Sequence, residues 1–470
     1  WSGLESLGVS ILLIFTVIIM ARILGPLDFG VATLALGLVY IPLIIAERLF
    51  HDAIIQRKEL TTLHLDTTFC VSIGIAILLV LGIWTISPVV AKLYNEPRLS
   101  TALQLSSLSL LFNAPSGILI ADLRRKMQFK PLALRNMVAT LIGAMVGLIM
   151  AINGFGLLSL ICQQIVQSFI GMIIIFASVD QFPRLRFSSV HLKDLIGFST
   201  LAIVSETIRN SQFRLFIVVL GYYSGLTTVG YFEIASRVVG SLIFFWQNAI
   251  NSVAMSAFSK LQSNKFEFKK AFRQITEINA SLIVPVFAGL FVITPEMVMT
   301  LLDKPWVAST PIIQLMSIGA LFSSIRQFSP VVFNSLGRPQ YNLIEALPGL
   351  MIPALVLLVL MPTTLIAQGT IWVGRLVITI PISFWLTYKI LAMSPLEQIK
   401  GVGSPLVASL IMVYILWVTK TTLLFNMADS ISLMCQIFLG FLIYPSFLIL
   451  FSPHLIKRFS RIIKEIKGNS

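Results

Sequence analysis

Long apolar runs separated by short polar connections are the main pattern of this sequence. The hydrocarbon core of a bilayer is ~30 Å thick, so a helix needs about 20 mostly apolar residues to cross it. Fourteen runs are of that kind, and we predict spans near residues 4–24, 30–47, 67–87, 100–120, 131–151, 156–178, 196–220, 228–250, 276–301, 310–334, 341–360, 366–388, 403–420 and 431–451. The runs are unbroken rather than alternating, which favours helices over barrel strands. The pattern therefore predicts an all-α polytopic membrane protein with about 14 transmembrane helices.

The composition agrees with a membrane protein and excludes an ordinary soluble one. Of the 470 residues, 57% are hydrophobic and 11% are charged, whereas soluble domains carry about 25% charged residues. Cys70, Cys162 and Cys435 all lie in apolar runs, and the four histidines are scattered along the chain. Their spacing predicts neither a disulfide framework nor a metal site.

Positive charge is distributed unevenly over the connections between the predicted spans. With fourteen spans, 23 lysines and arginines lie on the side that carries both termini. The opposite side has only Lys92, Arg98, Lys304 and Lys420. By the positive-inside rule, both termini are predicted to be cytoplasmic. The net charge of +14 therefore indicates topology and an affinity for anionic membrane lipids, and it does not indicate nucleic-acid binding.

Two segments of the chain resemble each other. Residues 21–35, ARILGPLDFGVATLA, and residues 218–236, VVLGYYSGLTTVGYFEIAS, each have Leu-Gly, a short connection and a glycine that opens the next helix. Internal repeats of this kind are common among transporters, although two glycine-bearing turns can also be similar by chance. We predict an N-terminal six-helix lobe at 1–195 and a C-terminal six-helix lobe at 196–395, related by pseudo-two-fold symmetry. An extra helix pair and a basic cytoplasmic tail follow at 396–470.

The motifs of several enzyme classes are missing from the sequence. It contains no G-x-x-x-x-G-K-[ST], no H-E-x-x-H and no G-x-S-x-G, the motifs of nucleotide, zinc-protease and serine-hydrolase sites. The longest connection, 251–275, is predicted to form a basic amphipathic helix on the membrane surface. Glycan ligases and polymerases also use buried arginines, but the large periplasmic loops that they carry are not visible. The sequence therefore favours transport over catalysis.

Seven arginines lie within or at the ends of the predicted spans: Arg22, Arg135, Arg209, Arg214, Arg237, Arg326 and Arg375. A charge in the middle of a membrane costs at least ~2.5–3.5 kcal/mol, so it normally faces a water-filled cavity or a charged partner. Arg22 and Arg135 lie near the membrane surfaces, where long side chains can reach the headgroups. The other five outnumber the acids that can pair with them, Glu206, Glu233 and Glu345.

The spacing of these charges permits two interpretations. Glu206 and Arg209 at i,i+3, and Glu233 and Arg237 at i,i+4, can each share one face of a helix, whereas Arg214 lies about 140° further round than Arg209. Mutual neutralisation that lets polar helices pack is the first interpretation. The excess of arginine favours the second, an aqueous cationic cavity for an anionic substrate, because a guanidinium group grips a carboxylate or phosphate bidentately.

The candidate site residues follow from the second interpretation. We predict that the substrate is bound by Arg209, Arg214, Arg237, Arg326 and Arg375. Glu206 and Glu233 are predicted to be charge partners of these arginines or sites for a coupling proton. Four amides are candidates for hydrogen bonds to sugar hydroxyls or, equally, for hydrogen bonds between helices: Asn113, Gln164, Gln167 and Asn334.

Three segments, in order along the chain, resemble a known family: ARILGPLDFGVATLAL, SAFSKLQ and LLDKPWVASTPIIQLMSIGAL. They resemble the polysaccharide-transport branch of the multidrug/oligosaccharidyl-lipid/polysaccharide exporter superfamily, the Wzx-type flippases. The resemblance extends from residue 1 to about residue 390. It implies two six-helix lobes around a central cavity that alternates between inward-facing and outward-facing states.

The resemblance also implies a substrate. It predicts a flippase that moves undecaprenyl-pyrophosphate-linked oligosaccharide repeat units from the cytoplasmic to the periplasmic leaflet of the bacterial inner membrane, with the arginines on the pyrophosphate. No cofactor is expected apart from a coupling proton or sodium ion, and glycan polymerase machinery is a further candidate partner. The alternative is a cation-coupled multidrug exporter of the same superfamily, but an arginine-rich cavity argues against cationic substrates. A scaffold that only assembles glycan machinery would not need desolvated arginines.

Overall fold

A computed structural model describes residues 12, 15–57, 59–179 and 181–453 of the chain. Within these ranges, the side chains of 196–206, 209, 245–249, 251–253 and 256 lie outside the described part. The described residues form α-helices, one π-helical turn and one 3-10 turn, and they include no β-strand. Residues 454–470, which include all the basic residues of the predicted tail, lie outside the described residues.

The chain divides into two compact units, of which the first comprises residues 1–237 and 350–363. Its helices are α1 (15–23), α2 (Pro26–Arg48), α3 (His51–Gln56), α4 (Thr62–Leu93), α5 (Arg98–Ser107), α6 (Ser109–Arg125), α7 (Phe129–Ile152), α8 (Leu158–Ala177) and α9 (Ser189–Ser224), with the first part of α10 (Leu226–Lys260). A buried cluster formed by Phe50, Ile54, Ile118 and Leu195 joins α3, α6 and the start of α9. This unit therefore has an apolar core of its own.

The second unit comprises residues 238–349 and 364–470. After the end of α10 it contains α11 (Lys265–Met297), a π turn (Val298–Leu302), a 3-10 turn (Lys304–Ser309), α12 (Thr310–Ile325), α13 (Ser329–Ser335), the first half of α14 (Gln340–Leu360), α15 (Leu365–Gly374), α16 (Leu376–Leu391), α17 (Pro395–Ile399), α18 (Gly403–Thr422) and α19 (Asp429–Phe451). Its core includes Phe258, Phe268, Phe272, Phe328 and Phe333. The rings of Phe258 and Phe268 stack with centroids 4.9 Å apart.

The predicted all-α membrane architecture is confirmed. Eleven helical segments of the described chain are long and apolar enough to cross a membrane, and each corresponds to one predicted span. The other three predicted spans are 4–24, of which only 12 and 15–24 are described, and 196–220 and 228–250, which are the charged helices α9 and α10. The structure is therefore compatible with fourteen spans. The predicted six-helix lobe boundaries stay a prediction.

The predicted surface helix at 251–275 is wrong. Its first half continues α10 as far as Lys260, and its second half is the start of α11 at Lys265. The break between them is held by Asn264, whose side-chain oxygen accepts hydrogen bonds from the backbone N–H groups of Phe266 and Glu267 at 3.1 and 3.2 Å. An asparagine cap of this kind satisfies the otherwise unpaired first N–H groups of a helix. Two long helices are thereby joined by a tight turn.

The predicted C-terminal helix pair, α18 and α19, packs against α11 in the second unit. The Tyr444 hydroxyl donates a hydrogen bond to the carbonyl oxygen of Ser281 at 2.6 Å. Lys420 Nζ lies 2.8 Å from Glu296 Oε1, and Gln436 Nε2 donates to the same oxygen at 3.1 Å. Three helices therefore share one buried polar contact as well as an apolar face.

Candidate functional site

The carboxylate of Glu233 lies between two arginines in the first unit. Arg237 Nε is 2.8 Å from Glu233 Oε1, and Arg214 Nη1 is 3.2 Å from Glu233 Oε2. The Glu233 side chain is only 4% exposed, whereas Arg214 and Arg237 are 27% and 29% exposed. We call these three residues the Glu233 cluster. Two cations share one buried anion, so the cluster carries one uncompensated positive charge.

Helix α2 supplies the wall against which these arginines lie. The guanidinium carbon of Arg214 is 5.7 Å from the ring centre of Tyr40, and that of Arg237 is 5.2 Å from the ring centre of Phe29. Gly37 lies on the same helix between these two aromatic residues, and the stem of Arg214 passes beside it, since a Cβ there would lie 3.4 Å from Arg214 Cδ. Cation–π contacts hold guanidinium groups in place without neutralising them. The positive charge therefore stays available.

A second cluster in the other unit has the same composition. Arg326 forms an ion pair with Glu345, which is buried, and Arg375 lies over the ring of Trp372 with its guanidinium carbon 3.6 Å from the centroid. Arg375 Nη1 also donates a hydrogen bond to the Trp372 carbonyl oxygen at 2.5 Å. The positive charges of Arg326 and Arg375 repel each other. We call Arg326, Glu345 and Arg375 the Arg326 cluster.

Both arginines of the Arg326 cluster lie at interruptions of membrane helices. Arg326 ends α12 just before α13 begins, and Arg375 lies between α15 and α16. An interrupted helix leaves backbone carbonyl groups without their usual partners, and Arg375 takes one of them. Among the described residues, no carboxylate lies within ion-pair distance of Arg375. This guanidinium therefore retains donors for an external anion.

The structure brings four of the five predicted binding arginines into these two clusters, two in each unit. The side chains of the fifth, Arg209, and of its predicted partner Glu206 lie outside the described part. The i,i+4 pairing of Glu233 and Arg237 is present, and so is the excess of arginine over acid within each cluster. Phosphate groups suit such sites, because a guanidinium binds them with parallel hydrogen bonds.

The four predicted amides occupy different positions. Asn113 is buried and donates from Nδ2 to Ser109 O and Ser168 Oγ, both at 2.8 Å. Gln167 donates to Thr140 Oγ1 at 3.1 Å, which joins α8 to α7. Both contacts link helices. Gln164 is half-buried on α8, and Asn334 is exposed and accepts a hydrogen bond from Asn342 at 2.7 Å.

Sequence reasoning missed the buried polar contact of Glu296, Lys420 and Gln436. Glu296 lies inside the predicted span 276–301, so an acid in an otherwise apolar run was a signal for a buried partner. Lys420 was assigned to a connection, and nothing in the sequence links it to a residue more than a hundred positions earlier. In the described part of the chain, no group of three or more histidine, cysteine or acidic side chains is arranged to hold a metal ion.

Comparison with known proteins gives a family and several curated relatives, of which two are described here. A family model described as "Polysaccharide biosynthesis protein" matches residues 19–311. The succinoglycan biosynthesis transport protein ExoT of Rhizobium meliloti (strain 1021) is 26% identical over 320 residues, which are 68% of this chain and 64% of that protein. The lipopolysaccharide biosynthesis protein WzxC of Escherichia coli (strain K12) is 21% identical over 327 residues, 69% of this chain and 66% of the relative. Each match spans slightly less than two thirds of the relative's length.

Solved structures support the fold. The lipid II flippase MurJ in an inward closed conformation superposes with a TM-score of 0.80, at 15% identity, over 96% of this chain and 99% of that one. An inward-facing multidrug resistance transporter of the MATE family, in the MOP superfamily, gives a TM-score of 0.59 at 14% identity, over 83% of this chain and 98% of that one. At these identities the likeness establishes the fold alone.

Proposed function

Because this chain belongs to the polysaccharide biosynthesis protein family, we propose that it is a flippase for lipid-linked oligosaccharides. The family resemblance predicted from its segments is confirmed by that match and by the two curated relatives. Their names describe a transport protein and a biosynthesis protein for polysaccharides, which supports a transporter rather than an enzyme. In the proposal, undecaprenyl-pyrophosphate-linked repeat units move from the cytoplasmic to the periplasmic leaflet of the inner membrane.

The observation that carries this proposal is the uncompensated positive charge of the two clusters. Each has two arginines for one buried glutamate, and the four arginines are half-buried. A pyrophosphate offers the anionic oxygens that such groups bind. We propose Arg214 and Arg237 in the first unit, and Arg326 and Arg375 in the second, as candidate headgroup ligands, each pair within its own cluster. Glu233 and Glu345 then provide the charge balance that makes buried arginines tolerable.

The direction of transport in this proposal rests on the distribution of positive charge. The connections rich in lysine and arginine are proposed to face the cytoplasm together with both termini. Coupling to a proton or sodium ion remains a prediction, as does a contact with glycan polymerase machinery. Alternating access remains the proposed mode of transport.

A multidrug exporter is the second candidate, favoured by the MATE-like fold. Exporters of lipophilic cations would need a cavity that is neutral or acidic. The Glu233 and Arg326 clusters have the opposite charge, so repulsion would oppose the entry of a cation. The flippase is therefore the preferred proposal, and the two candidates differ in the sign of charge that the protein should bind.

The test compares Arg375 and Lys389, two basic residues near opposite ends of α16 that each lie over a tryptophan ring. In the purified protein, thermal stability is measured with and without undecaprenyl pyrophosphate, for the parent chain, Arg375→Met and Lys389→Met. Lys389 is the matched control because it lies over the Trp385 ring at 5.5 Å but is exposed. A ligand at about 100 times its dissociation constant stabilises by roughly 2.7 kcal/mol. We expect this shift in the parent and in Lys389→Met, and its loss in Arg375→Met.

Two outcomes would contradict the proposal. Stabilisation by lipophilic cations but not by the pyrophosphate lipid would favour the multidrug exporter. A shift that is equal in all three proteins would show that Arg375 does not touch the headgroup. Transport itself is checked in proteoliposomes, by the rate at which a fluorescent undecaprenyl-pyrophosphate glycolipid moves between leaflets.

A further inference from the structure

A cationic pocket lies in the second unit, between the first turns of α11 and the short helix α17. Its volume is about 740 Å³, and its wall includes Lys269, Lys270, Arg273 and Lys400. The first three recur along one face of α11 at intervals of one, three and four residues, which brings them together. Glu277 and Glu397 also line the pocket. Four cations against two acids leave a net charge of about +2, which suits a phosphate.

Two of these cations are held in place by neighbouring groups. Lys269 Nζ donates a hydrogen bond to the carbonyl oxygen of Ala392 at 2.8 Å, and Arg273 Nη2 is 2.5 Å from Glu397 Oε1. Glu397 is itself fixed by the cap of α17, where its Oε2 accepts from the backbone N–H of Ser394 at 3.0 Å. That bond and the nearby cations lower the pKa of Glu397. Lys269 and Arg273 are therefore held in defined positions in the pocket wall, unlike lysines and arginines that move freely at a protein surface.

The other two cations of the pocket lie on exposed side chains. Lys270 and Lys400 are both exposed, and Lys270 Nζ makes a long ion pair, 3.5 Å from Glu267 Oε2 on the same helix. Gly401, in the pocket wall, permits the close approach of the turn after α17 to α11, because a side chain there would collide with Glu277. The pocket thus has two fixed and two adaptable donors.

Apolar side chains beside the pocket indicate which phosphate it takes. Phe266, which lines the pocket, is 74% exposed, and Leu396 on α17 is 77% exposed. Exposed apolar groups next to lysines are typical of segments that sit at the headgroup level of a membrane. The pocket also lies among the basic connections that positive-inside topology assigns to the cytoplasmic leaflet. A soluble phosphate would gain nothing from Phe266 and Leu396.

We propose that this pocket binds the phosphate headgroup of an anionic phospholipid of the cytoplasmic leaflet. The lipid is a resident partner of the protein, and its acyl chains lie against Phe266 and Leu396. This inference is independent of the substrate that the transporter moves. It assigns a site to the affinity for anionic lipid that the sequence indicates only as a property of the whole basic face.

The test removes the two adaptable cations and keeps the fold. The full chain in neutral detergent is titrated with a short-chain phosphatidylglycerol, and binding is followed by the shift in thermal midpoint. The variant is Lys270→Gln/Lys400→Gln. The matched control is Lys260→Gln/Lys265→Gln, which makes the same change of charge on exposed lysines that do not line the pocket. At about fivefold per basic residue, we expect the affinity of the variant to fall on the order of thirtyfold.

Three results would overturn the proposal. An equal loss in the control pair would mean diffuse attraction rather than a site. Equal binding of phosphatidylcholine would remove the role of charge. Inorganic phosphate that binds the parent and competes at the same concentration as the lipid would identify a site for a soluble anion. Headgroup recognition predicts instead a strong preference for the anionic lipid and a loss confined to the pocket variant.

Discussion

Gly30 and Gly230 join the first turns of α2 and α10 by the same contact on each side. A side chain at Gly30 would overlap the carbonyl oxygen of Leu226, and one at Gly230 would overlap that of Pro26. Each glycine lies four residues after the first residue of its helix, and that first residue supplies the carbonyl group to the other glycine. The two segments that resemble each other in sequence therefore meet through equivalent positions. This reciprocity supports their origin as an internal repeat.

We expect Gly30→Ala and Gly230→Ala each to destabilise the protein, because backbone atoms cannot move aside for the added methyl group. Overpacking of this kind costs about 1–3 kcal/mol, and the matched control is Gly240→Ala, where a Cβ meets nothing within 4 Å. The thermal midpoint in detergent is the measurement. Since one displacement of the two helices relieves both clashes, the double variant should lose less than the sum of the single losses. Additive losses would contradict a shared contact.

The Glu233 cluster predicts unequal effects for removing its anion and one of its cations. Glu233→Gln leaves Arg214 and Arg237 facing each other without a carboxylate, and breaking a buried pair in this way costs about 3–5 kcal/mol. Arg237→Met leaves a neutral Arg214–Glu233 pair and should destabilise less. Thermal unfolding of both variants checks the order. If Arg237→Met were the less stable of the two, the cluster would not carry an excess positive charge.

The contact between Lys420 and Glu296 predicts that the C-terminal helix pair is held to α11 by charge as well as by apolar packing. Lys420→Met leaves the buried Glu296 carboxylate with Gln436 as its described partner, and we expect hydrogen exchange to quicken selectively in 403–451. Adding Glu296→Gln should restore much of the protection, because the unpaired charge is gone. A double-mutant cycle measures this coupling. Protection that is unchanged in Lys420→Met would show that apolar packing alone holds the pair.

The connection between α4 and α5 predicts a loss of stability in acid. Arg98 donates to Glu96 at 2.8 and 3.1 Å and lies 2.7 Å from Asp28 Oδ1. The hydrogen bonds from Arg98 to the carboxylate, and the positive charge of Arg98, lower the pKa of Glu96. A lowered pKa stabilises the fold above the unfolded value of about 4.3, and that contribution is lost as the pH falls through the folded value.

Arg98→Gln should therefore lower the thermal midpoint at pH 7. Below about pH 4.3, the midpoint of this variant should fall less steeply with pH than that of the parent. The control is Lys92→Gln, since Lys92 is exposed near the same connection and makes no ion pair with a described residue. Midpoints between pH 7 and pH 3 provide the measurement. An acid loss that is the same in Arg98→Gln and in the parent would exclude the Glu96 contact as its cause.

The sequence by itself determined the properties that depend on neighbours along the chain. Apolar runs long enough to cross a membrane gain free energy in lipid whatever they pack against, so eleven predicted spans recur as described helices. The pairing of Glu233 with Arg237 follows from helical spacing alone. The turn at Asn264 was also a local feature. Its capping role was missed because the basic stretch 251–275 is equally consistent with one amphipathic surface helix.

Only the tertiary structure decided which distant charges meet. Arg214 and Arg237 contact one carboxylate from two helices, and Arg326 forms an ion pair with Glu345. Lys420 contacts Glu296, more than a hundred residues earlier in the chain, and Asn113 donates a hydrogen bond to Ser168 on another helix. Composition counts the charges in the membrane, but the cost of burying each one depends on the distance to its partner. Helix packing sets that distance, and with it which arginines keep a free positive charge.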